Sequence, residues 1–142
     1  MSIENSKVKQ AVVELEHVCF CRKEREILSD VSWKIEPGQH WALLGANGSG
    51  KTSLLKILTG YAWPTFGTVR VLGERFGACD VPKLRKVIGW VSSAMTQRLP
   101  AQDKSIDVVA SGLDASVGLY RHITPEEKTK SLAVLKQLGV EV

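Results

Sequence analysis

Apolar and polar residues alternate along three segments in the first half of the chain. These segments read VVELEHVCF at 12–20, VSWKI at 31–35 and TVRVLG at 68–73. Because successive side chains of a strand point to opposite faces, a period of two predicts strands with one buried face. The charged stretch 21–26 predicts a turn between the first two strands. The pattern therefore indicates a group of strands whose first two members run antiparallel.

Two further segments are apolar without interruption. WALL at 41–44 and VIGWV at 87–91 have the composition of strands that are buried on both faces. Between them, TSLLKILTG at 52–60 predicts a helix that stops at Gly60, since glycine favours the position that follows a helix. The broad apolar face of this helix consists of Leu54, Leu55, Ile57 and Leu58.

Three more helices are predicted after residue 80. They are VPKLRK at 81–86, SIDVVASGL at 105–113 and a final helix that starts at Pro125. We expect Ser105 to cap the second of these helices. Thr124 and Glu127 form a capping box at the start of the third, and Gly139 ends it. The core positions predicted on the final helix are Leu132, Leu135 and Leu138, and Glu126 is four residues before Lys130.

The glycine-rich loop between 41–44 and the first helix carries the candidate chemistry. GANGSGKT at 45–52 matches the pattern G-x-x-x-x-G-K-[ST]. Its glycines let the backbone present N–H groups to an anion, and the following helix directs its positive end at the same point. Lys51 can reach terminal phosphates, and the Thr52 hydroxyl is placed to bind Mg²⁺. The predicted phosphate-binding residues are Gly45, Ala46, Asn47, Gly48, Ser49, Gly50, Lys51 and Thr52.

Composition and charge exclude only a few classes of function. The chain has 142 residues, which favours one domain, and its formal net charge of +4 is mildly basic. No Lys/Arg-rich run with interleaved aromatic residues occurs, so nucleic acid is not an expected partner. No apolar stretch reaches the roughly 20 residues that span a bilayer, and no secretory signal is recognisable. Three cysteines, Cys19, Cys21 and Cys79, do not form a disulfide framework and are better explained as packing residues than as metal ligands.

The sequence around the loop resembles the first half of an ATP-binding cassette, the ATPase unit of ABC transporters. The likeness covers about residues 12–138, and the stretch 28–73 is highly specific. It implies an α/β fold: a P-loop NTPase-like core with an antiparallel β subdomain and the start of a helical subdomain, together an incomplete cassette. We expect residues 11–91 to form the β subdomain and P-loop core, and residues 92–142 a Q-loop-like region and the start of the helical subdomain.

The resemblance implies an ATP-binding subunit that takes ATP and Mg²⁺ and, when complete, hydrolyses ATP to drive transport. It also implies that ATP dimerises two cassettes and that region 92–122 faces a transmembrane permease subunit. The protein would then lie in the cytoplasm, peripheral at the cytoplasmic face of the membrane. GTP is disfavoured because no Asn-Lys-x-Asp occurs. Two alternatives stay open: a soluble ABC-type ATP switch without a transport role, and a nucleotide-binding module without turnover.

Two positions depart from the family pattern. Arg22 stands where the family usually has an aromatic residue that stacks on adenine. A guanidinium plane can also stack on a base, and the alternative, which the position favours slightly, is a solvated turn residue. Ser93 stands at the position of the usual Q-loop glutamine, and Gln97 is a weaker candidate for that role. The pair Ser92-Ser93 is similar to a branch of cassettes that resembles the molybdate-linked tandem ATPases.

Two parts that hydrolysis requires are not found in the sequence. No apolar strand ends in a suitable aspartate, and Ser111-Gly112 precedes the place of the Ser-Gly-Gly-Gln-type signature, so we interpret it as a chance match. His17, His40 and His122 lie upstream of any switch histidine and are interpreted as structural. No complete catalytic set is therefore expected in these 142 residues, and we expect this chain alone to bind ATP weakly and hydrolyse it negligibly.

Overall fold

The computed structural model describes residues 10–93, 99 and 102–140. The chain divides into two compact units, which meet in the sequence between Leu84 and Arg85. The boundary predicted between residues 91 and 92 comes from the cassette pattern. The compact units do not test it, so it stays a prediction. Each unit is described by itself below.

A four-stranded antiparallel sheet forms the centre of the first unit. Its strands are β1 (Val13–Arg22), β2 (Arg25–Ile35), β3 (Phe66–Val71) and β4 (Glu74–Arg75), in the spatial order β2-β1-β3-β4. The predicted strands at 12–20, 31–35 and 68–73 are therefore confirmed, and β4 is an addition. The predicted turn at 21–26 was too long, because the strands continue until only Lys23 and Glu24 remain between them.

The pairing of β1 with β2 contains an irregularity close to the turn. Phe20 pairs with Leu28 and the next residue, Cys21, pairs with Glu26. Strand β2 thus advances by two residues while β1 advances by one, and Ile27 is the extra residue of a β-bulge. Bulges bend the strand and redirect its side chains. This one lies where β2 approaches the glycine-rich loop.

Helix α1 (Lys51–Leu58) follows the glycine-rich loop directly. Its buried side chains are Leu54, Ile57 and Leu58. Leu55 was also predicted to be buried, but it is 43% exposed, because it lies at the margin of the apolar face. The helix ends as predicted: Gly60 has φ 72°, and its N–H donates to the Ile57 carbonyl. Helix α2 (Val81–Arg85) is the predicted single turn, with Val81 and Leu84 buried.

The two continuous apolar segments are not strands, and both predictions were wrong. Residues 41–44 and 87–91 lie outside the sheet that the structure describes. Leu44 is 93% exposed and Val91 is fully exposed. A strand is stabilised by ladder hydrogen bonds to a neighbouring strand, and no described segment pairs with either stretch. Apolar composition alone is therefore not sufficient to form a strand.

The second unit contains α3 (Ser105–Ser111), a 3-10 turn (Gly112–Asp114) and α4 (Pro125–Gln137). Lys104, not Ser105, occupies the N-cap position of α3, so the predicted cap was wrong; Ser105 is the first helical residue. Helix α4 begins as predicted, with Thr124 and Glu127 exchanging both hydrogen bonds of a capping box.

The core of α4 is smaller than predicted. Leu135 is 3% exposed, but Leu132 and Leu138 are 38% and 70% exposed, so two of the three predicted core leucines lie towards solvent. The ion pair between Glu126 and Lys130 is present at 2.7 Å. Within residues 10–93, 99 and 102–140, no helix is both long enough and apolar enough to cross a membrane.

Candidate phosphate-binding site

The glycine-rich loop owes its shape to two glycines with a left-handed backbone. Gly48 has φ 83° and Gly50, at the N-cap of α1, has φ 89°. Residues with a Cβ rarely adopt this region because Cβ approaches the following carbonyl oxygen. These two positions let the chain turn sharply from the loop into α1.

Gly50 also permits a close approach to strand β2. A Cβ added there would lie 2.7 Å from Cδ2 of Leu28 and 2.8 Å from the carbonyl oxygen of Ile27. Only a residue without a side chain fits this gap. The start of α1 is thereby held against the bulged part of β2, and the loop and the strand form two sides of one site.

Lys51 ties the loop together through its ammonium group. Nζ donates hydrogen bonds to the carbonyl oxygens of Gly45 (2.7 Å) and Ala46 (2.8 Å), and to Oγ of Ser49 at 3.3 Å. The positive charge is therefore held across the loop, close to the first turn of α1. An ammonium group in this place can neutralise an anion that the loop surrounds.

The N-terminus of α1 adds further positive potential. No side chain caps this helix end, and its first turn contains no acidic residue. The backbone N–H groups of a first helical turn have no partner within the helix, and the helix dipole makes this end positive. Together with Lys51, they create an environment that suits phosphate groups.

A cavity of about 420 Å³ lies against the loop. One side is formed by the loop and the first turn of α1, the other by the start of β2. Thr52, the candidate Mg²⁺ ligand, is exposed and lines this cavity. The lining residues are Arg25, Glu26, Ile27 and the continuous stretch 47–53.

The other predicted site residues are placed differently. Arg22 is exposed at the end of β1, directly opposite Arg25 in the strand register, and it is Arg25 that lines the cavity. Ser93 is exposed and belongs to the second unit. Gln97 lies outside the described residues. Sequence reasoning missed Arg25, Glu26 and Ile27, because the bulge that turns this part of β2 towards the loop has no recognisable signal in the sequence.

The remaining candidates have ordinary structural surroundings. The Ser111 hydroxyl donates to the Val108 carbonyl oxygen at 2.8 Å inside its own helix. His17 Nδ1 is 2.7 Å from a carboxylate oxygen of Asp30. All three cysteines are free, and burial raises the pKa of the Cys79 thiol. In the part of the chain that the structure describes, no cluster of His, Cys, Asp or Glu side chains could hold a metal ion.

Comparison with known proteins identifies the family. Residues 28–141 match the ABC transporter family, and this stretch is most of the chain. The chain therefore belongs to the ABC transporter family, as a portion of its ATP-binding domain, and the α/β cassette fold expected from the resemblance is confirmed.

Individual relatives agree. The chain is 40% identical, over 129 residues, to the uncharacterized ABC transporter ATP-binding protein YlmA of Bacillus subtilis, covering 90% of this chain and 49% of that protein. It is 38% identical, over 130 residues, to the uncharacterized ABC transporter ATP-binding protein YmeB of Lactococcus lactis, covering 92% and 50%. The chain thus spans about half the length of the curated relatives it matches.

A solved structure has the same fold. The dimeric ATP-binding cassette MJ0796, in a post-hydrolysis state with ADP and Pi bound, superposes with a TM-score of 0.70 at 25% sequence identity. The match covers 91% of this chain and 58% of that one.

Proposed function

We propose that this chain binds MgATP through residues 45–52 and serves as part of the ATP-binding subunit of an ABC-type transport system. One observation carries the proposal. The ammonium group of Lys51 is held across a loop that forms one side of a cavity at the N-terminus of α1. A positive side chain, unpaired helix N–H groups and space for a ligand thus coincide.

Each part of the site has a task in this proposal. The loop N–H groups and the α1 N-terminus hold the phosphate oxygens. Lys51 neutralises charge on the terminal phosphates, for which its ammonium exchanges some of its present bonds with loop carbonyl oxygens for bonds to the nucleotide. Because those bonds are intramolecular and exposed, the exchange has a small cost.

Thr52 is the residue that would hold Mg²⁺. Thr52 lines the cavity beside the loop. Mg²⁺ keeps several waters and is usually bound by one or two protein oxygens together with substrate phosphates, so a single hydroxyl beside the loop fits the ion. The chemistry that Mg²⁺ would supply there is positive charge that offsets the negative charge of the phosphates.

The names of the relatives support a proposal for the wider role of the protein. Since YlmA and YmeB carry the name of ABC transporter ATP-binding proteins, we propose a transmembrane permease as partner at the cytoplasmic face of the membrane. The dimer of MJ0796 supports association with a second cassette on ATP binding. We also propose that the whole subunit hydrolyses ATP. Ser93 is retained as the Q-loop candidate, and Arg22 and the cavity-lining Arg25 are the two candidates for the adenine contact.

Replacement of Lys51 tests the phosphate site. For Lys51→Ala we expect the dissociation constant for MgATP to rise at least about tenfold, because hydrogen bonds to a charged group contribute about 1.5–3 kcal/mol. Isothermal titration of the full chain measures this, and phosphate release in the same samples separates turnover from binding without turnover.

Lys83→Ala is the matched control, since Lys83 is an exposed lysine of α2 outside the cavity. It should bind MgATP as the wild type does. Equal affinity of Lys51→Ala and wild type would contradict the proposed function.

A further inference from the structure

The wall of the cavity opposite the loop has no assigned role. Arg25, Glu26 and Ile27, three consecutive residues of β2, line it. A regular strand presents only alternate side chains to one side. The extra residue at Ile27 breaks this alternation, and bulges commonly redirect side chains next to functional sites. The start of β2 is therefore turned towards the space beside the loop.

Arg25 is available to a ligand. It is exposed, and within the described ranges its guanidinium has no ion pair or side-chain hydrogen bond. Arg22 is its direct partner across the hairpin, and like charges at directly opposite positions are unfavourable. A ligand in the adjoining cavity would give the Arg25 guanidinium a partner.

The neighbouring Glu26 indicates which end of a nucleotide faces this wall. A carboxylate repels phosphate groups, but its oxygens accept hydrogen bonds from ribose hydroxyl or base amino groups. Ile27, whose carbonyl oxygen lies beside Gly50, adds an apolar side chain. An arginine, a carboxylate and an apolar residue suit a nucleoside, while the loop and Lys51 on the other side suit its phosphates.

We propose that Arg25 holds the nucleoside end of the bound nucleotide, with its guanidinium plane stacked on the base, while Glu26 accepts a hydrogen bond from the nucleoside. Planar guanidinium groups stack readily on aromatic rings. This inference rests on the proposed binding of ATP at residues 45–52. It assigns the base contact to Arg25 rather than to Arg22, the residue at the aligned position of the family's aromatic side chain.

Comparing two ligands separates contacts to the nucleoside from contacts to the phosphates. The ligands are MgATP and magnesium tripolyphosphate, which has no nucleoside. Arg25→Ala should weaken MgATP binding about fivefold to tenfold, the range of a partly desolvated cation–ring contact. Binding of tripolyphosphate should be unchanged, and this also shows that the variant is folded. Arg22→Ala is the matched control and should have the smaller effect on MgATP.

The sign of the effect at Glu26 is a second test. If the wall faces the nucleoside, Glu26→Gln weakens MgATP binding and leaves tripolyphosphate unaffected. If the wall faces phosphates, removal of the negative charge strengthens the binding of both ligands, and the proposal is overturned. It is equally overturned if Arg25→Ala has no effect, weakens both ligands alike, or has a smaller effect than Arg22→Ala.

Failure of this inference is distinct from failure of the proposed function. If Lys51→Ala loses both ligands while Arg25→Ala binds both normally, residues 45–52 hold the phosphates and only the role of Arg25 is wrong. If Lys51→Ala binds both ligands normally, the phosphate site itself is wrong, and the assignment of Arg25 is overturned with it.

Discussion

Gly48 and Gly50 have nearly the same backbone conformation but different surroundings. Their φ angles are 83° and 89°, and a Cβ at Gly48 would meet no atom within 4 Å, whereas one at Gly50 would meet Leu28 and Ile27. Replacement by alanine therefore separates backbone strain from steric overlap. Gly48→Ala should lower the free energy of unfolding by about 1–2 kcal/mol, the cost of a left-handed residue.

Gly50→Ala should cost about 1–3 kcal/mol more than Gly48→Ala, because its methyl group has to displace packed atoms. Urea unfolding of both variants measures the difference. Equal losses would mean that β2 moves away from the loop at no cost. In that case the close approach of β2 to α1 would not be what shapes the cavity.

At the scale of single residues, the sequence predicted the loop far better than it predicted the opposite wall. Gly50, Lys51 and Thr52 each meet a local requirement, for left-handed backbone, positive charge and a hydroxyl respectively, and a pattern records such requirements directly. Arg25 lines the cavity because one extra residue at position 27 shifts the pairing of two strands. Strand register depends on nonlocal contacts, so no sequence pattern indicated Arg25.

At the scale of elements, the start of α4 combines a capping box with an ion pair. The Glu127 carboxylate accepts from the Thr124 backbone N–H at 2.9 Å and receives two hydrogen bonds from the Arg121 guanidinium, at 2.7 and 2.8 Å. Arg121 also donates to Asp114 at 2.7 Å. One arginine thereby links the 3-10 turn to the first turn of α4.

This linkage lowers the pKa of Glu127 to about 2, chiefly through Arg121 and next through the Thr124 N–H. Arg121 also lowers the pKa of Asp114. A carboxyl whose pKa is depressed by folding stabilises the folded state above its usual pKa and loses that contribution as the pH falls. For Glu127 the loss extends from its usual value of 4.5 down to about 2.

Arg121→Gln should raise the pKa of Glu127 towards its usual value, since the main cause of the depression is removed. It should also make stability less dependent on pH between about 4.5 and 2. NMR titration of the Glu127 carboxyl carbon measures the pKa. Lys130→Gln is the control, because Lys130 lowers the pKa of Glu126; it should shift Glu126 and leave Glu127 in place. An unchanged pKa of Glu127 in Arg121→Gln would contradict the assigned cause.

The elements that could be predicted are those whose signals are local. The capping box of α4, the glycine that ends α1 and the alternation along β1 and β3 all depend on residues close in sequence. Residues 41–44 and 87–91 share the apolar composition of buried strands but lack a pairing segment among the described residues. Composition indicates how a segment would be buried, whereas strand formation requires a partner elsewhere.

At the scale of the whole molecule, apolar side chains are divided between a well-buried set and an exposed set. Ile57 is fully buried between the residues of the first unit, while Leu44 and Val91 are almost entirely exposed. Contiguous exposed apolar side chains on a protein surface usually mark places where another segment or chain packs. We therefore expect Leu44 and Val91 to contribute little to the free energy of unfolding of this chain.

Substitution of both sets tests this division. Leu44→Ser and Val91→Ser should each change the free energy of unfolding by less than about 0.5 kcal/mol, as expected for exposed positions, and should lower the fluorescence of a dye that binds apolar surface. Ile57→Ala, by contrast, should cost about 2–5 kcal/mol, because it leaves a cavity. Thermal and urea unfolding of the three variants give these values. A loss above about 1.5 kcal/mol for Leu44→Ser or Val91→Ser would be well beyond the usual effect of an exposed substitution. It would show that these segments are already packed in solution. The interpretation of 41–44 and 87–91 as unpaired apolar segments would then be wrong.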